Sequence, residues 1–337
     1  MKAAVFYGSG DLRVEERAIP TPKDDEVLIR VHACGVCGTD VHIFHGDEGA
    51  AKTPRGTVLG HEFSGEIAAV GKNVTARAVG DRVCVDPNQL CGRCTPCLTG
   101  YGHFCEHMTG IGTTVDGGFA EYVAVPYYQT YRFDPSLTYA EAAMTEPVSC
   151  CLHGIDLCDI IQGDTVAVIG CGMIGLLMLQ LARLRGAGRI IAVEPVESKR
   201  EAALKLGADA VYDPNTVTNE RIIAENGRIA CVIECVGRTS TMESAVSLAG
   251  YRATVMLFGL TAPDDTLSVK PFTVFKKELT LRASFINPYT FTRALALIAS
   301  KKIDVASPVY RYTELDTLPE VLENPEARRE GKIIVTM

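Results

Sequence analysis

The chain has 337 residues, a formal net charge of −8 and a pI near 5.5, with 47% hydrophobic residues and thirteen cysteines. A length of this order provides about two domains with cores of their own, and the acidic balance leaves no basic footprint for a nucleic-acid partner. The opening MKAAVFYGSGDLRVEE turns polar too soon for a secretion signal, and the longest apolar run, Met173 to Leu184, is interrupted by Gln180 and Arg183, so neither export nor a membrane span is expected.

The first 140 residues read as an irregular β-rich domain with many turns. AAVF, LRVEE and the alternating VLIRV at Val27 to Val31 come first, followed by HEFSGEIAAV, GDRVCVD and FAEYVAV, with Gly71-Lys72-Asn73 and Gly117-Gly118 as turns. From about Glu141 the texture changes. AEAAMTEPVSCCLHGIDLCDI reads as helical on either side of Pro147. Six strand candidates follow, at 165–169, 189–193, 209–212, 231–236, 253–258 and 279–285, with helices at 197–206, 217–226 and 240–249 between them. Such alternation implies a parallel, doubly wound sheet. A further helix, PYTFTRALALIASKK, precedes a strand-like tail, GKIIVTM, which has no place in a six-stranded nucleotide domain and is expected to return to the first domain.

The stretch TVAVIGCGMIGLLMLQLARLRGAGRIIAVE, Thr165 to Glu194, carries the strand, glycine turn, helix, strand and acid order of a dinucleotide-binding βαβ unit. Gly170 permits the tight turn, Gly172 lets the backbone approach a pyrophosphate, and Gly175 lets helix and strand pack closely. The pyrophosphate is expected at the positive helix end. Glu194, 19 residues after Gly175, is expected to accept hydrogen bonds from the adenosine ribose hydroxyls.

Two clusters have metal-binding character. Cys91, Cys94, Cys97 and Cys105 put four thiols within 15 residues. In a reducing cytoplasm thiols bind metal or stay reduced, and this spacing marks a structural Cys₄ zinc. Such a site contributes about 10–16 kcal/mol of apparent binding energy, ample for a lobe of Gly, Pro and Thr without a core. Only Arg93 is basic within it, which disfavours a nucleic-acid zinc module. In the other cluster, Cys34-Gly-Val-Cys37-Gly-Thr39-Asp40-Val-His42 and Gly60-His61-Glu62, Cys37 and His61 suit tetrahedral Zn²⁺. Taken alone, these residues also read as core positions, or Cys34 and Cys37 as a redox pair.

Together the motifs resemble the zinc-containing medium-chain alcohol dehydrogenase family. Those that carry the likeness are Gly35-Val-Cys37-Gly-Thr39-Asp40, Gly60-His61-Glu62-Phe-Ser-Gly65, Gly80-Asp81-Arg82-Val83, the four cysteines, Gly117-Gly118-Phe119-Ala120-Glu121-Tyr122 and the Rossmann segment. The resemblance implies an α/β chain made of a GroES-like catalytic domain with two zinc sites, at 1–143 and 287–337, and an inserted Rossmann doubly wound sheet at 144–286. It implies that Cys37 and His61 are catalytic zinc ligands and that Glu62 is the neighbouring glutamate that binds the metal directly or transiently in some members. Asp40 would orient the ligand histidine. Glu146, followed by Pro147 as in the sorbitol-type branch, would hold the zinc or its water, with Cys150 and Cys151 as alternatives. Thr39 and His42 match the proton relay: zinc lowers the pKa of a bound oxygen, as for water from 15.7 to about 7, and Thr39 would pass the proton through the nicotinamide ribose to His42.

For the cofactor, Glu194 would face the phosphate of NADP at a cost of roughly 4 kcal/mol per charge pair at 4 Å and a dielectric near 20, so NAD is expected. Lys199 matches an adenosine-ribose contact of NAD users. Ile174, Val236, Phe258-Gly259-Leu260 and Ser284-Phe285-Ile286 match further cofactor contacts. Thr145-Glu146-Pro147 and Gly38 point to polyol, diol or amino-alcohol substrates, while Ile286-Asn287 stands where sorbitol dehydrogenases carry Arg-Tyr. Asn287, Tyr289, Phe44 and His45 are candidates for the substrate pocket or for packing. The expected activity is hydride transfer between a secondary alcohol, a polyol above all, and NAD. L-threonine and 2,3-butanediol dehydrogenases are the nearest rivals, and a catalytically silent nucleotide-binding protein is the rival of another class. A cytoplasmic homo-oligomer, dimer or tetramer, without nucleic-acid or membrane partner, completes the expectation.

Overall fold

The computed structural model describes residues 1–47 and 52–337. It divides into two compact units, one of residues Met1–Ser149 and Pro288–Met337, the other of Cys150–Asn287. The division falls inside one helix, so that Glu146 belongs with the first unit.

In the first unit β1 (Lys2–Gly8), β2 (Asp11–Glu16) and β3 (Glu26–Gly35) precede a short helix, α1 (Gly38–His45). Then come β4 (Thr57–Val58), β5 (Glu62–Val70), β6 (Arg82–Val85), β7 (Asn88–Gln89), α2 (Thr95–Leu98), β8 (Thr109–Gly110), β9 (Tyr122–Pro126) and β10 (Thr130–Arg132). The strand β3 is central: it pairs antiparallel with β5 and, at its first half, with β9. Its segment VLIRV had the alternation of a half-buried strand, yet Val27, Leu28 and Ile29 are all buried, because neighbours cover both faces. Val27, Ile29, Val31, Phe63, Ile67, Val83, Phe119 and Val123 share one core.

Two helices follow, α3 (Tyr139–Ala143) and α4 (Thr145–Asp156). The break between them lies at Met144, not at Pro147, which sits in the first turn of α4, where a missing N–H costs nothing.

The second unit then alternates strictly: β11 (Thr165–Ile169), α5 (Met173–Arg185), β12 (Arg189–Val193), α6 (Glu197–Lys205), β13 (Ala210–Tyr212), α7 (Asn219–Asn226), β14 (Cys231–Glu234), α8 (Thr239–Leu248), β15 (Thr254–Leu257), α9 (Pro271–Lys277) and β16 (Thr280–Ala283). All strands are parallel, in the order β13-β12-β11-β14-β15-β16. Counted within this unit the order is 3-2-1-4-5-6, that of a dinucleotide-binding sheet. The inner strands are buried on both faces and read as continuous apolar runs. Three strands end one or two residues earlier than their apolar runs suggest, because the chain turns out of the sheet at Cys235, Phe258 and Ser284.

The chain then rejoins the first unit through α10 (Phe291–Ala299), β17 (Val309–Glu314), α11 (Leu318–Glu323) and β18 (Lys332–Thr336). The tail GKIIVTM supplies β18, antiparallel to β3 and parallel to β17. Leu318, Val321, Leu322, Ile333 and Val335 join the core already built on β3 and β5. Among the described residues no helix is long and apolar enough to cross a membrane.

Candidate metal centres and nucleotide site

Gly35 ends β3 and Cys37 is the N-cap of α1, so the first turn of that helix presents Cys37, Thr39 and Asp40 together. Asp40 is fully buried and uses its two oxygens differently. Oδ2 accepts the Cys37 N–H at 2.8 Å, which caps the helix, and Oδ1 faces His61 Nδ1 at 3.4 Å. One carboxylate therefore sets both the thiol and the imidazole and leaves His61 Nε2 as the nitrogen for a metal.

The loop that carries His61 is held from the other side by the Gly117-Gly118 turn, since Gly118 N–H donates to Gly60 O at 2.7 Å and Phe119 N–H to Leu59 O at 2.9 Å. Burial alone would lower the pKa of His61; Asp40 and Cys37 outweigh it and raise the value well above that of an ordinary histidine. Thiol, imidazole and the Glu62 carboxylate converge, with one ligand atom of each within 4.8 Å of the others. A soft sulfur, a borderline nitrogen and a carboxylate suit a zinc ion.

Glu146, 8% exposed in the first turn of α4, lies outside that trio. Thr39 and His42 share a face of α1, three residues apart, and His42 Nδ1 faces Asp47 Oδ2 at 2.9 Å. Phe44 is buried in the core of the first unit, and His45 is exposed beside it. Asn287 is buried, whereas the exposed Tyr289 sets its hydroxyl against Gly102.

Cys91, Cys94, Cys97 and Cys105 form the other cluster, again with all four sulfurs within 4.8 Å of one another. They form no disulfide. The α2 helix between them buries nothing, and Leu98 and Tyr101 are exposed, so the thiols are what the lobe is gathered around. Backbone N–H groups aim at the sulfurs: Cys91 N–H and His107 N–H reach Cys105 Sγ at 3.3 and 3.4 Å. The backbone N–H of Arg93 is the main cause that lowers Cys91 to about 6, while burial first and then the other thiols push Cys97 up to about 12. A divalent cation held by the four sulfurs would keep all of them as thiolates.

A residue that sequence reasoning passed over completes the trio's surroundings. Lys332, first in β18 and 6% exposed, pairs with Glu62 Oε2 and donates to Val36 O at 2.9 Å. Burial pulls its pKa down, and Glu62, Cys37 and Asp40 more than offset that, so the ammonium is retained. No local pattern reveals this, since the pairing depends on where the returning strand lands.

In the second unit Gly170 follows β11, Gly172 is the N-cap of α5 and Ile174 lies half-buried in its first turn. A Cβ on Gly175 would meet the carbonyl oxygen of Gly170, so only glycine lets this helix lie so close to its strand. Glu194 follows β12 and is 5% exposed; its oxygens accept the N–H groups of Cys171 at 2.8 Å and Val196 at 3.0 Å. Lys199 is half-buried on α6. Arg200 donates to the carbonyls of Glu194 and Pro195 at 2.9 and 2.8 Å and stands 3.9 Å from Asp213.

Val236, Phe258-Gly259-Leu260 and Ser284-Phe285-Ile286 lie just beyond the carboxyl ends of β14, β15 and β16, the edge at which open α/β sheets bind ligands. Glu234, wholly buried, ties this edge together by accepting from Val236 N–H at 2.8 Å, Gly237 N–H at 3.0 Å and Thr241 Oγ1 at 2.7 Å. The glutamate-cysteine-valine-glycine stretch after an apolar run was the signal that would have exposed it.

The family model for alcohol dehydrogenase GroES-like domains matches residues 23–135, and that for zinc-binding dehydrogenases matches 174–300. Sorbitol dehydrogenase of Bacillus subtilis is 31% identical over 96% of this chain and 93% of its own length. L-threonine 3-dehydrogenase of the same organism is 33% identical over 94% and 93%. A Sinorhizobium meliloti structure described as a zinc-binding dehydrogenase bound to NADP superposes with a TM-score of 0.95, at 38% identity, over 100% of this chain and 99% of that one. Likeness of this degree, spread over nearly the whole sequence, leaves one assignment: the chain belongs to the zinc-containing medium-chain alcohol dehydrogenase family, in the branch of the sorbitol-type and threonine dehydrogenases.

Proposed function

We propose that the protein oxidises a secondary alcohol, with polyols as the substrate class, to the ketone and passes the hydride to NAD. The observation that carries this is the convergence of Cys37, His61 and Glu62 within 4.8 Å, on a chain that also holds a complete glycine-turn nucleotide unit. A silent nucleotide-binding protein has no need of the first. The first unit is the catalytic domain with two zinc sites, and the second binds NAD.

Cys37 and His61 hold the catalytic zinc, Glu146 holds it or its water, and Glu62 stands by. The metal supplies the Lewis acidity that makes a hydroxyl acidic near neutral pH. Thr39 takes the hydroxyl proton and His42, oriented by Asp47, delivers it to solvent. Cys91, Cys94, Cys97 and Cys105 hold a structural zinc.

NAD is favoured over NADP by the buried Glu194 carboxylate and by Arg200, whose guanidinium is already committed to two carbonyls and drawn towards Asp213. Gly170, Gly172, Ile174, Gly175, Lys199 and the three strand ends line the nucleotide. L-threonine or 2,3-butanediol is the second reading, favoured by Ile286-Asn287 in place of Arg-Tyr. The working form is a cytoplasmic homo-oligomer, supported by the exposed Phe272, Phe275 and Leu281 about the edge strand β16.

Metal analysis followed by assay of polyols, diols and threonine with NAD and NADP tests the reading. Two zincs per chain and NAD-linked turnover are expected, with Cys37→Ser losing one zinc and all activity. A Cys37→Ser protein that keeps both zincs sinks the catalytic-site assignment, and turnover with NADP alone sinks the role of Glu194.

A further inference from the structure

At the carboxyl edge of the parallel sheet, one buried carboxylate joins two neighbouring turns. Glu234, the last residue of β14, is 0% exposed, yet among the described residues it forms no ion pair. A carboxylate this deep needs fixed donors in place of water. Oε1 receives them from Val236 N–H, Gly237 N–H and Thr241 Oγ1, the last in the first turn of α8, where the helix end favours an anion. The main chain of the same residue works on the other side. Glu234 O accepts the N–H groups of Phe258 and Gly259, both at 3.0 Å, from the turn that follows β15. Bare glycines let the two turns interlock. A Cβ on Gly259 would stand 2.1 Å from Gly237 N and 2.7 Å from Glu234 Oε2, and one on Gly237 would stand 2.3 Å from Leu260 O. What the turns offer outward is apolar, since Val236 is 42% exposed and Leu260 62%.

We propose that Glu234 is a positioning residue for the cofactor: by holding the Val236-Gly237 turn against the Phe258-Gly259-Leu260 turn, it fixes the spacing at which the two ends of a dinucleotide are received. This rests on the reading that the second unit binds NAD at these strand ends. The two turns stand at different distances from the glycine turn. A Cβ on Gly170 would meet Val236 Cγ2 at 2.6 Å, so the first turn lies beside the glycine turn, while the second follows β15, one strand further out. A ligand held at Gly170–Gly175 and Glu194 therefore reaches the first turn, and only one with a second ring extends to the other. A turn loosed from its neighbour still adapts to a ligand that touches it alone, whereas a ligand that must reach both loses a preorganised site.

The experiment titrates the full-length protein with NAD, NADH and ADP-ribose by calorimetry. Glu234→Gln keeps the size of the side chain and sets an amide group against the N–H of Gly237. It is expected to weaken NAD and NADH alike, about tenfold, and to leave ADP-ribose within about twofold of wild type.

Equal weakening of all three ligands marks a general loss of structure, and weakening of NAD alone marks an effect of charge on the oxidised ring. Either result overturns the proposal, as does no change. Should Glu234→Gln fail to fold, Thr241→Val decides, because it removes one donor and leaves the carboxylate. The same split between NAD and ADP-ribose is then expected at about threefold, and its absence overturns the proposal. Wild-type protein that binds none of the three ligands removes the NAD reading and this inference together. Wild-type protein that binds all three, with no split in the variant, removes the inference alone.

Discussion

Asp40 and Glu141 show how single carboxylates do two jobs. Asp40 caps α1 and faces His61, so both Cys37 and His61 depend on it. Glu141 closes the capping box of α3 by accepting the Thr138 N–H at 2.8 Å, and its other oxygen accepts from Lys301 Nζ at 2.6 Å. Burial raises the pKa of Glu141, but Lys301 and Thr138 together lower it below its ordinary 4.5. A depressed folded value stabilises the fold above the unfolded pKa, and that contribution is lost as the pH falls through the folded value. Glu141→Gln keeps the cap and removes the charge. At pH 7 it should cost about 0.5–1 kcal/mol, the range of a partly exposed pair, and the difference should shrink to nothing as the pH is lowered well below 4.5. Urea unfolding of both proteins at pH 7 and at pH 3 checks this; an equal cost at both refutes the electrostatic account.

Some residues of the family motifs owe their place to packing. Arg82 of Gly80-Asp81-Arg82-Val83 donates to Leu137 O at 2.8 Å and lies over the rings of Phe133 and Tyr139, 4.8 and 4.4 Å from their centroids. A motif that carries the family likeness is here a clamp on the loop before α3.

Among elements, the βαβ unit around Gly170–Gly175 was the most legible in sequence, because glycine spacing, apolar strands and a terminal acid are all local signals. The four-cysteine lobe was legible for the same reason. The helix α1, with only eight residues and no apolar stripe, left no such trace, and neither did β17, ordered by its pairing with β18, or α11, ordered by the core it joins. Lys332 could not be found from sequence at all, since its partner lies 270 positions earlier. The lobe also gives an element-scale prediction. It buries nothing on α2, so with the proposed structural zinc as its main tie Cys94→Ser or a strong chelator should open residues 91–105 to proteolysis while the second unit stays folded. Because the ligands are thiolates, retention should weaken as the pH falls, which a chromogenic chelator at pH 8 and pH 5.5 measures. Metal loss without local cleavage would show that the lobe is held by something else.

For the whole molecule, the edge strand β16 matters most. Thr280, Leu281 and Ala283 are exposed, and on α9 beside it Phe272 and Phe275 are 70% and 78% exposed with their rings 6.2 Å apart. An open strand end with apolar neighbours invites pairing with another chain, and a two-fold axis through β16 would join two such sheets edge to edge. If the proposed oligomer is built on this edge, Leu281→Lys combined with Phe275→Glu is expected to shift sedimentation to a smaller species while nucleotide binding per chain is retained. An unchanged mass would locate the interface elsewhere.

The return of the chain to β18 also has a consequence in time. The sheet that carries Cys37 and Glu62 has its seat for β18 beside β3, and the strand that fills it is made only after the whole nucleotide unit. At about 5–20 residues per second, a ribosome takes on the order of ten seconds or more over that insert. Through this interval the newborn first unit exposes a strand edge and buries Glu62 without its cation. If the proposed zinc binds early and steadies that half-built sheet, expression yield should rise with zinc supply during synthesis, and a yield indifferent to zinc would refute this.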